Sequence, residues 1–600
     1  MRDARQEAVV DAWLARLSLR QKIGQMTMAE RGSVTPEDVK RNALGAVLSG
    51  GGSHPGGNAP ADWVRMNDAF WQAAVGDEDS LGIPILFGCD AVHGNNNVAG
   101  ATILPHNIGL GAAGNVELVA EAAGVTAREM LASGLDWNFA PVLAVVQDCR
   151  WGRTYESYGN DPRRAGRFGR RYVEALQGED IVACVKHWVG DGGTGHGIDQ
   201  GETTLSWEEL EATHVAPYYP AFEAGVMTVM VSFNSWNGEK CHGSRFLVTD
   251  VLKGRLGFKG LVVSDWDGID FLHEEYATAV RLSVNAGLDM FMVPERWREF
   301  IDTLEAEVHG GGVSPARIDD AVRRILRTKL RSGVFDRPRP ARRPGVEVAC
   351  TGCDAHREVA RRAVRRSLVL LKNAGDLLPL DPASRILVAG KSAHDLGHQC
   401  GGWTLSWQGE KGNDTIAGTT VWQGIHALAP HARLSEDGGD ADPDRDDVAV
   451  VVVGETAYAE GFGDIRSGDE MLVEAGSAVD GLMNPLEPYA RSQVLAEVHP
   501  EDVACIRRIA ARGVPVVAVL ISGRPLVVEE EMAASTAFVA AWLPGSEGLG
   551  VGEVLLGRED FAGRLPLPWP GAAGNVPRFP AGFGLDYGFD NAVAMAYKRK

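Results

Sequence analysis

The sequence predicts an α/β protein that begins with a (β/α) barrel and continues with a second, open layered sheet. Its 600 residues exceed what one hydrophobic core usually serves, so two or more domains are expected. Apolar strands alternate with amphipathic helices over the first half of the chain, a pattern typical of a parallel sheet. Seven strands are counted there, one fewer than the eight of a regular barrel, so the prediction allows an irregular one.

The predicted barrel strands are short and apolar, as buried parallel strands are. Helical stretches such as residues 116–133 and 207–225 lie between them, and a helix at residues 315–332 ends this part of the chain. The seven strands are predicted at residues 46–49, 84–89, 137–142, 182–189, 227–233, 261–264 and 288–293.

A proline- and arginine-rich stretch, Arg337 to Arg343, separates this pattern from a second α/β pattern and is interpreted as a solvated linker. Four further apolar strands follow at residues 385–390, 448–454, 516–523 and 537–542. So few strands favour an open sheet over a second barrel. We predict a barrel domain at residues 1–335, a linker at 336–366, a second α/β domain at 367–570 and a C-terminal tail at 571–600.

Composition narrows the classes of partner. The formal net charge of −21 argues against a nucleic-acid or anionic-membrane partner, because such surfaces need concentrated Lys and Arg. No apolar run is long enough to span a bilayer, and the first residues carry no signal-peptide core, so a cytoplasmic protein is expected.

Eight scattered cysteines, with one close pair at Cys350 and Cys353, indicate neither a disulfide framework nor a structural metal site. We predict no metal and no cofactor, and the oligomeric state is left open.

Chemically active side chains cluster where the predicted barrel strands end. The run from Gly260 to Asp270 delivers Asp265 to the end of an apolar strand, at the edge where barrel enzymes keep their chemistry. An ordinary helix-capping Asp would give the same local pattern. Similar strand-end positions hold further polar residues, and their shared placement favours a functional site: Asp90, Arg153, Lys186 and His187.

Two loops of the second domain are glycine-rich, aromatic and acidic, and they carry Trp403, Trp407 and Glu460. A carboxylate from each domain facing one cleft, with tryptophan faces to stack on sugar rings, is the combination that a glycosidase needs. A non-catalytic sugar-binding protein would share the aromatic residues but not an acid at Glu460. The sequence Asp265-Trp-Asp267-Gly also resembles the opening of Mg²⁺-dependent haloacid-dehalogenase-like phosphatases, although that motif normally begins its domain.

Several longer motifs occur in one order along nearly the whole chain. They are Asp90-Ala-Val-His-Gly, Lys186-His-Trp-Val-Gly-Asp-Gly-Gly193, Ser264-Asp-Trp266, Ser367-Leu-Val-Leu-Leu-Lys-Asn373, Cys400-Gly-Gly-Trp-Thr404 and Trp542-Leu-Pro-Gly-Ser-Glu-Gly548. This set resembles the two-domain β-glucosidases and exo-β-glucanases of glycoside hydrolase family 3. The resemblance implies a barrel followed by an α/β sandwich domain, and a retaining, exo-acting β-glucosidase of short β-glucans, with a β-xylosidase of the same fold as the alternative.

The resemblance also implies roles for individual residues. Asp265 would be the nucleophile and Glu460 the acid/base, with Glu455 and Glu470 as nearby competitors for the second role. The non-reducing-end glucose would be held by Asp90, Arg153, Lys186 and His187, while Trp266 and Trp407 would flank the next sugar and Trp403 would line the same wall. The second domain and the sequence Val189-Gly-Asp disfavour the single-domain β-N-acetylglucosaminidase branch, which carries its acid/base on a His-Asp loop.

Overall fold

The first domain is a barrel of parallel strands. The structure, a computed structural model, describes residues 2–76, 80–343, 350–467, 472–473, 485–572 and 574–588. A single parallel bridge between Val263 and Met290 brings the two ends of the eight-stranded sheet together, so the barrel is nearly closed. In chain order the strands are Thr27–Glu30, Ala46–Ser49, Leu86–Cys89, Trp137–Asn138, Val182–Trp188, Thr228–Val231, Leu261–Val263 and Phe291–Met292. The predicted fold class is confirmed.

The strand missing from the seven predicted ones is Thr27–Glu30. It follows the helix Leu19–Gln25 almost directly, and its sequence Thr-Met-Ala-Glu has no β-branched or aromatic run. Its place is fixed by pairing with Ala46–Ser49 on one side and Phe291–Met292 on the other. Tertiary pairing, rather than local propensity, therefore makes this segment a strand.

Two predicted elements are interrupted in the structure. Of the strand predicted at residues 137–142, only Trp137–Asn138 is regular, and Pro141, which has no N–H to donate, separates it from the bridge between Val142 and Lys186. The helix predicted at residues 207–225 is broken into Trp207–Leu210, a π-helical turn Glu211–Val215 and Tyr218–Glu223, in a stretch that contains Pro217 and Pro220.

Helices surround the barrel, and the longer ones bury one apolar face against it. In the part of the chain that the structure describes, no helix is long and apolar enough to cross a membrane. In chain order the helices are Arg2–Arg16, Leu19–Gln25, Pro36–Asn42, Pro60–Val75, Asn107–Ala113, Val116–Ala132, Pro162–Gly178, the segments named above, the π-helix Phe246–Arg255, Tyr276–Ala286, Trp297–His309 and Pro315–Arg331.

The second domain is a six-stranded, mostly parallel sheet with helices on its faces. Its first strand, Val369–Asn373, pairs antiparallel with Ala537–Trp542 at one edge. The remaining strands are Ile386–Ala389, Arg433–Leu434, Val448–Gly454 and Val516–Ile521, and the helices are Asp354–Ser367, Leu396–Cys400, Val421–Leu428, Leu495–Val498, Pro500–Ala510, Glu529–Ala534 and Leu549–Leu555.

Both ends of the second domain are tied into the fold. The helix Asp354–Ser367 begins within the segment predicted as linker. The predicted tail contains the strand Gly574–Phe579, which pairs with Trp569–Gly571, and Leu585 bridges back to Leu370. Residues 589–600 of that segment lie outside the described residues.

The two domains share buried apolar contacts. The core of the second sheet continues into loops at the carboxyl end of the barrel, where it includes Val92, Ile108, Val142, Trp151 and Tyr155. Burial of apolar surface across this junction holds the second domain over the open end of the barrel. The loops that carry the predicted site residues therefore meet there.

Candidate active site

A cavity of about 260 Å³ lies at the carboxyl end of the barrel and is walled by both domains. All nine residues predicted for the site line it. The barrel contributes most of the polar groups, Trp266 and several apolar side chains, and the second domain contributes two tryptophans and a carboxyl group. The lining residues are Gly50, Gly51, Ser53, Asp90, Arg153, Lys186, His187, Met230, Phe233, Asp265, Trp266, Met292, Trp403, Trp407 and Glu460.

Asp265 is held by its own backbone and by one neighbouring loop. The Trp266 N–H donates to Asp265 Oδ1 at 2.7 Å, and the Asp265 N–H donates to His242 Nε2 at 3.0 Å. Among the residues that the structure describes, Asp265 Oδ2 accepts no hydrogen bond, although the side chain is only 13% exposed. One carboxylate oxygen is thus fixed and the other is left available to a ligand.

The charge state of Asp265 follows from two opposing effects. Burial raises its pKa to about 6, while Arg153 and Lys186 act to lower it. At neutral pH the carboxyl group is therefore ionised in most molecules. An ionised carboxylate with a free oxygen is the form that a nucleophile requires.

Arg153 connects the polar groups of the cavity. It makes a two-pronged ion pair with Glu156, at 2.9 Å from both Nε and Nη2, and its Nη1 lies 3.0 Å from Glu460 Oε1. Its Nη2 also lies 3.1 Å from His187 Nε2. Because arginine can only donate, His187 Nε2 accepts this bond.

The tautomer of His187 follows from these contacts. Its Nδ1 lies 2.8 Å from Asp191 Oδ2, so Nδ1 carries the proton and donates to Asp191. Burial, together with the positive charges of Arg153 and Lys186, holds the pKa of His187 well below its usual range. His187 is therefore a neutral group of fixed orientation, and burial raises the pKa of its partner Asp191 to about 7.

Lys186 and Asp90 form a buried ion pair on the cavity wall. Lys186 Nζ lies 2.5 Å from Asp90 Oδ1, with the lysine side chain 2% exposed. Burial alone would lower the pKa of Lys186, but the negative charges of Asp90 and Glu156 outweigh it and raise the pKa. The pair places a strong donor and a strong acceptor side by side, which suits vicinal hydroxyl groups.

Glu460 enters the cavity on the 3-10 turn Glu460–Gly463, with a positive φ of 53°. Burial raises its pKa to about 8, and the negative charges of Asp199, Glu156 and Asp265 add to this effect against the opposing charge of Arg153. A protonated carboxyl group still accepts an N–H from Arg153 through its carbonyl oxygen. Glu460 is thus in the acid form at neutral pH.

A second carboxylate, Asp464, fastens the Glu460 turn to the barrel. Its Oδ1 accepts the Gly152 N–H at 2.7 Å and its Oδ2 accepts the Asp199 N–H at 2.9 Å. Arg466 forms an ion pair with the same carboxylate. A Cβ on Gly152 would lie 1.9 Å from the Glu460 carbonyl oxygen, so only glycine allows the turn to pack this closely.

The tryptophans form an aromatic wall around the end of the second barrel strand. A Cβ at Gly50 would lie 2.8 Å from the Trp266 ring, and one at Gly51 would lie 3.0 Å from both Trp403 and Trp407. Two glycines in succession therefore admit rings from both domains. Trp403 Nε1 donates to Glu156 Oε1 at 3.3 Å, and Trp407 meets Phe462 edge-on with ring centroids 5.4 Å apart.

Sequence reasoning did not assign roles to four residues that build this site: Glu156, Asp191, His242 and Asp464. Glu156 and Asp191 stand within the motifs that carry Arg153 and His187. Their short sequence distance from these residues could therefore have indicated that they belong to the site. His242 and Asp464 gave none, because their partners are distant in sequence.

Two of the three alternative residues, Glu455 and Asp267, lie outside the cavity lining. Glu455 is buried outside the cavity lining, and its carboxylate accepts hydrogen bonds from Arg524, Tyr458 and the Gly523 N–H. Glu470 lies outside the described residues. Asp267, which the phosphatase interpretation requires, does not line the cavity. In the described ranges no three His, Cys, Asp or Glu side chains are grouped so as to hold a metal ion.

Comparison with known proteins gives a consistent result. The family descriptions Glycosyl hydrolase family 3 N terminal domain and Glycosyl hydrolase family 3 C-terminal domain match residues 18–328 and 368–587. The Lysosomal beta glucosidase of Dictyostelium discoideum is 29% identical, over 98% of this chain and 77% of its own length. The Periplasmic beta-glucosidase of Salmonella typhimurium is 29% identical, over 95% of this chain and 75% of its own length.

Two similar solved structures are described as a glucanase and a beta-glucosidase. The exo-1,3/1,4-beta-glucanase from a Pseudoalteromonas species is 40% identical with a TM-score of 0.88, covering 98% of this chain and 74% of that one. A beta-glucosidase from Listeria innocua in complex with laminaribiose shares the fold, with a TM-score of 0.78 and 24% identity over 98% of this chain and 83% of that one.

Proposed function

The chain belongs to glycosyl hydrolase family 3, and from that premise we propose that it is a retaining, exo-acting β-glucosidase that removes terminal glucose from short β-glucans. One observation carries the proposal. A single cavity is lined by Asp265 and Glu460, carboxyl groups from different domains with pKa values of about 6 and about 8. Two carboxyl groups in opposite protonation states are what glycoside hydrolysis by acid and nucleophile requires.

In the first step Asp265 Oδ2, which accepts no hydrogen bond from the described part of the chain, attacks the anomeric carbon. Glu460 donates its proton to the departing glycosidic oxygen, so that the leaving group departs as a neutral alcohol. The products of this step are a covalent glucosyl ester on Asp265 and the shortened glucan.

In the second step the ionised Glu460 takes a proton from water, and the resulting hydroxide attacks the anomeric carbon of the ester. Asp265 leaves as a carboxylate and Glu460 regains its proton. Two successive inversions at one carbon retain the β configuration. We propose that the barrel domain, residues 1–335, supplies the nucleophile and the second domain, residues 367–570, supplies the acid/base, so neither has a complete site.

The remaining polar residues orient the glucose. Lys186 with Asp90 offers a donor beside an acceptor, and Arg153 and the neutral His187 offer further fixed groups for hydroxyls. These groups are already held by Glu156 and Asp191 before substrate arrives, which lowers the entropic cost of binding. Trp266 and Trp407 would stack on the sugar beyond the scissile bond, with Trp403 beside them.

The size of the cavity supports action at chain ends. A volume of about 260 Å³, bounded by both domains, suits one or two sugar units rather than an open groove for a long chain. Two structural relatives are named an exo-1,3/1,4-beta-glucanase and a beta-glucosidase in complex with laminaribiose, so both β-1,3 and β-1,4 glucosides are substrates to test. A cytoplasmic location stays a prediction, because two relatives are named for the lysosome and the periplasm.

The experiment is a panel of nitrophenyl β-glycosides, cellobiose and laminaribiose, each with and without EDTA. We expect the β-glucosides to be cleaved fastest, glucose to be released with its β configuration by NMR, and EDTA to have no effect. Faster cleavage of the β-xyloside would favour the β-xylosidase alternative, and initial release of α-glucose would contradict the double-displacement route.

A further inference from the structure

We propose that Cys350 and Cys353 form a reversible disulfide that fixes the turn leading into the second domain. Both cysteines lie immediately before the helix Asp354–Ser367, the first element of the second domain. In the structure both are free thiols. The inference does not depend on the proposed substrate, because neither residue lines the active-site cavity.

The backbone already brings the Cα atoms of the two cysteines close together. The Cys353 N–H donates to the Cys350 carbonyl oxygen at 3.2 Å, closing a four-residue turn with Thr351 and Gly352 at its centre. The positive φ of Gly352, 67°, is the one that a type II turn requires at its third residue. A turn of this kind holds its end Cα atoms within about 7 Å, which overlaps the range of roughly 4.4–6.8 Å found for disulfides.

The other six cysteines are in a different situation. Five are buried, and burial raises the pKa of Cys184 and Cys241 to about 12 and of Cys505 to about 11. Cys149 is half-buried, but burial also raises its pKa to about 12. Thiols with such pKa values are poor nucleophiles at neutral pH. Cys350 and Cys353 are half-buried, as Cys149 is, and burial raises the pKa of Cys350 as well, so what distinguishes this pair is the turn that brings their Cα atoms close together.

The turn is also clamped between the domains. The Gly352 N–H donates to Glu129 Oε1 at 2.9 Å, and the same oxygen lies 2.8 Å from His356 Nδ1 on the following helix. Glu129 belongs to the barrel helix Val116–Ala132 and is fully buried. A Cβ on Gly352 would lie 2.2 Å from the Gly100 carbonyl oxygen of the barrel.

The position of the turn determines what a disulfide within it would do to the protein. The turn is where the chain leaves the barrel surface and enters the second domain, and the active site needs both domains. A covalent link between Cys350 and Cys353 would restrict the backbone of the turn in the unfolded chain and in any partly opened state. The oxidised protein should therefore be more stable to unfolding than the reduced protein.

The chemistry uses a disulfide oxidant such as oxidised glutathione. The thiolate of one cysteine attacks one sulfur of the oxidant, forming a mixed disulfide and releasing one glutathione thiolate. The second cysteine, as its thiolate, then attacks the cysteine sulfur of the mixed disulfide and releases the second glutathione. Two protein thiols are oxidised, one oxidant disulfide is reduced, and two protons are given up to solvent or to the departing thiolates.

The test uses the full-length protein incubated with oxidised glutathione, then unfolded and titrated for thiols. We expect two of the eight thiols to disappear, the mass to fall by two hydrogen atoms, and a linked Cys350–Cys353 peptide to appear in a digest. Dithiothreitol should restore both thiols. The Cys149→Ser variant, which removes the remaining half-buried cysteine, should still lose two thiols.

The Cys350→Ser, Cys353→Ser double variant should lose none, while its glucosidase activity stays at the wild-type level. The wild-type protein should also unfold at a higher temperature when oxidised than when reduced, and the double variant should show no such difference. Retention of all eight thiols, a stable glutathione adduct, or a link between other cysteines would each overturn the proposal.

Discussion

Asp265 and Glu460 reach one cavity from two domains by different structural means. Asp265 follows the barrel strand Leu261–Val263, whose hydrogen bonds to Thr228–Val231 fix its backbone. Glu460 stands on a loop beyond the strand Val448–Gly454, at a positive φ, and is oriented by Arg153 of the barrel. Asp265, the proposed nucleophile, is thus positioned by its own sheet, whereas Glu460, the proposed acid/base, depends on contacts made by the other domain.

The largest expected effect is at the sheet-positioned carboxylate. Asp265→Asn keeps the shape of the side chain but removes the negative charge with which we propose that Asp265 attacks the anomeric carbon. We expect kcat to fall by at least about 10⁴-fold, in the range seen when a catalytic group of a hydrolase is removed. Labelling with a 2-deoxy-2-fluoro glucoside should place the sugar on a peptide that contains Asp265, and a label found only on another peptide would reassign the nucleophile.

Glu460→Ala tests the loop-positioned carboxyl group. Loss of general acid–base catalysis should cost roughly 10²–10⁴-fold on cellobiose and laminaribiose, whose leaving groups need protonation. Dinitrophenyl glucoside should suffer less in its first step, because its leaving group is already a stable anion. Added azide should speed its turnover and yield β-glucosyl azide. Near wild-type cleavage of the disaccharides would show that another residue is the acid.

Asp464→Asn tests whether the barrel really holds the Glu460 turn. An amide offers one acceptor oxygen, so it cannot accept both the Gly152 and Asp199 N–H groups. A misplacement of the acid/base by about 1 Å costs on the order of 10²-fold in kcat, with KM little changed. Azide should not rescue this variant, since Glu460 is still present. Asp302→Asn, at an exposed ion pair with Arg20, is the control and should leave kcat unaltered.

Trp407→Ala separates sugar stacking from the chemistry. Loss of the ring should weaken kcat/KM for oligosaccharides by about tenfold, equivalent to ~1.4 kcal/mol, and should affect aryl glucosides less. Trp407→Phe keeps an aromatic face and should retain most of the oligosaccharide activity. Equal losses on both substrate types would argue against a role of Trp407 in binding the leaving group.

The smallest effect is in the pH dependence of kcat/KM, which reports the free enzyme. Activity should rise with pH as Asp265 ionises around its pKa of about 6, and fall with pH as Glu460 loses its proton around its pKa of about 8. The two groups interact, so the acid and alkaline limbs of the pH profile give pKa values that belong to the pair rather than to either residue alone. In Glu460→Gln the alkaline limb should disappear while the acid limb stays, and an alkaline limb that persists would belong to another group.

Local patterns in the sequence were sufficient for much of the fold and for the cavity residues. Apolar runs between amphipathic helices indicated seven of the eight barrel strands, and the strand ends indicated Asp90, Lys186 and Asp265. These signals work because a buried parallel strand needs a continuous apolar sequence and presents the residue that follows it at one edge. The motif resemblance then predicted a shared cavity lined by residues of both domains.

Only the tertiary structure decided the elements whose partners are remote in sequence. Thr27–Glu30 is a strand because two neighbours pair with it, and Asp464 matters because Gly152 and Asp199 meet it from the other domain. The protonation states of Asp265 and Glu460 belong to the same class, since their pKa values depend on burial and on Arg153. Sequence determines which chemical groups are present and where a strand delivers them. Burial and contacts between distant segments determine which of those groups carries a proton and where it points.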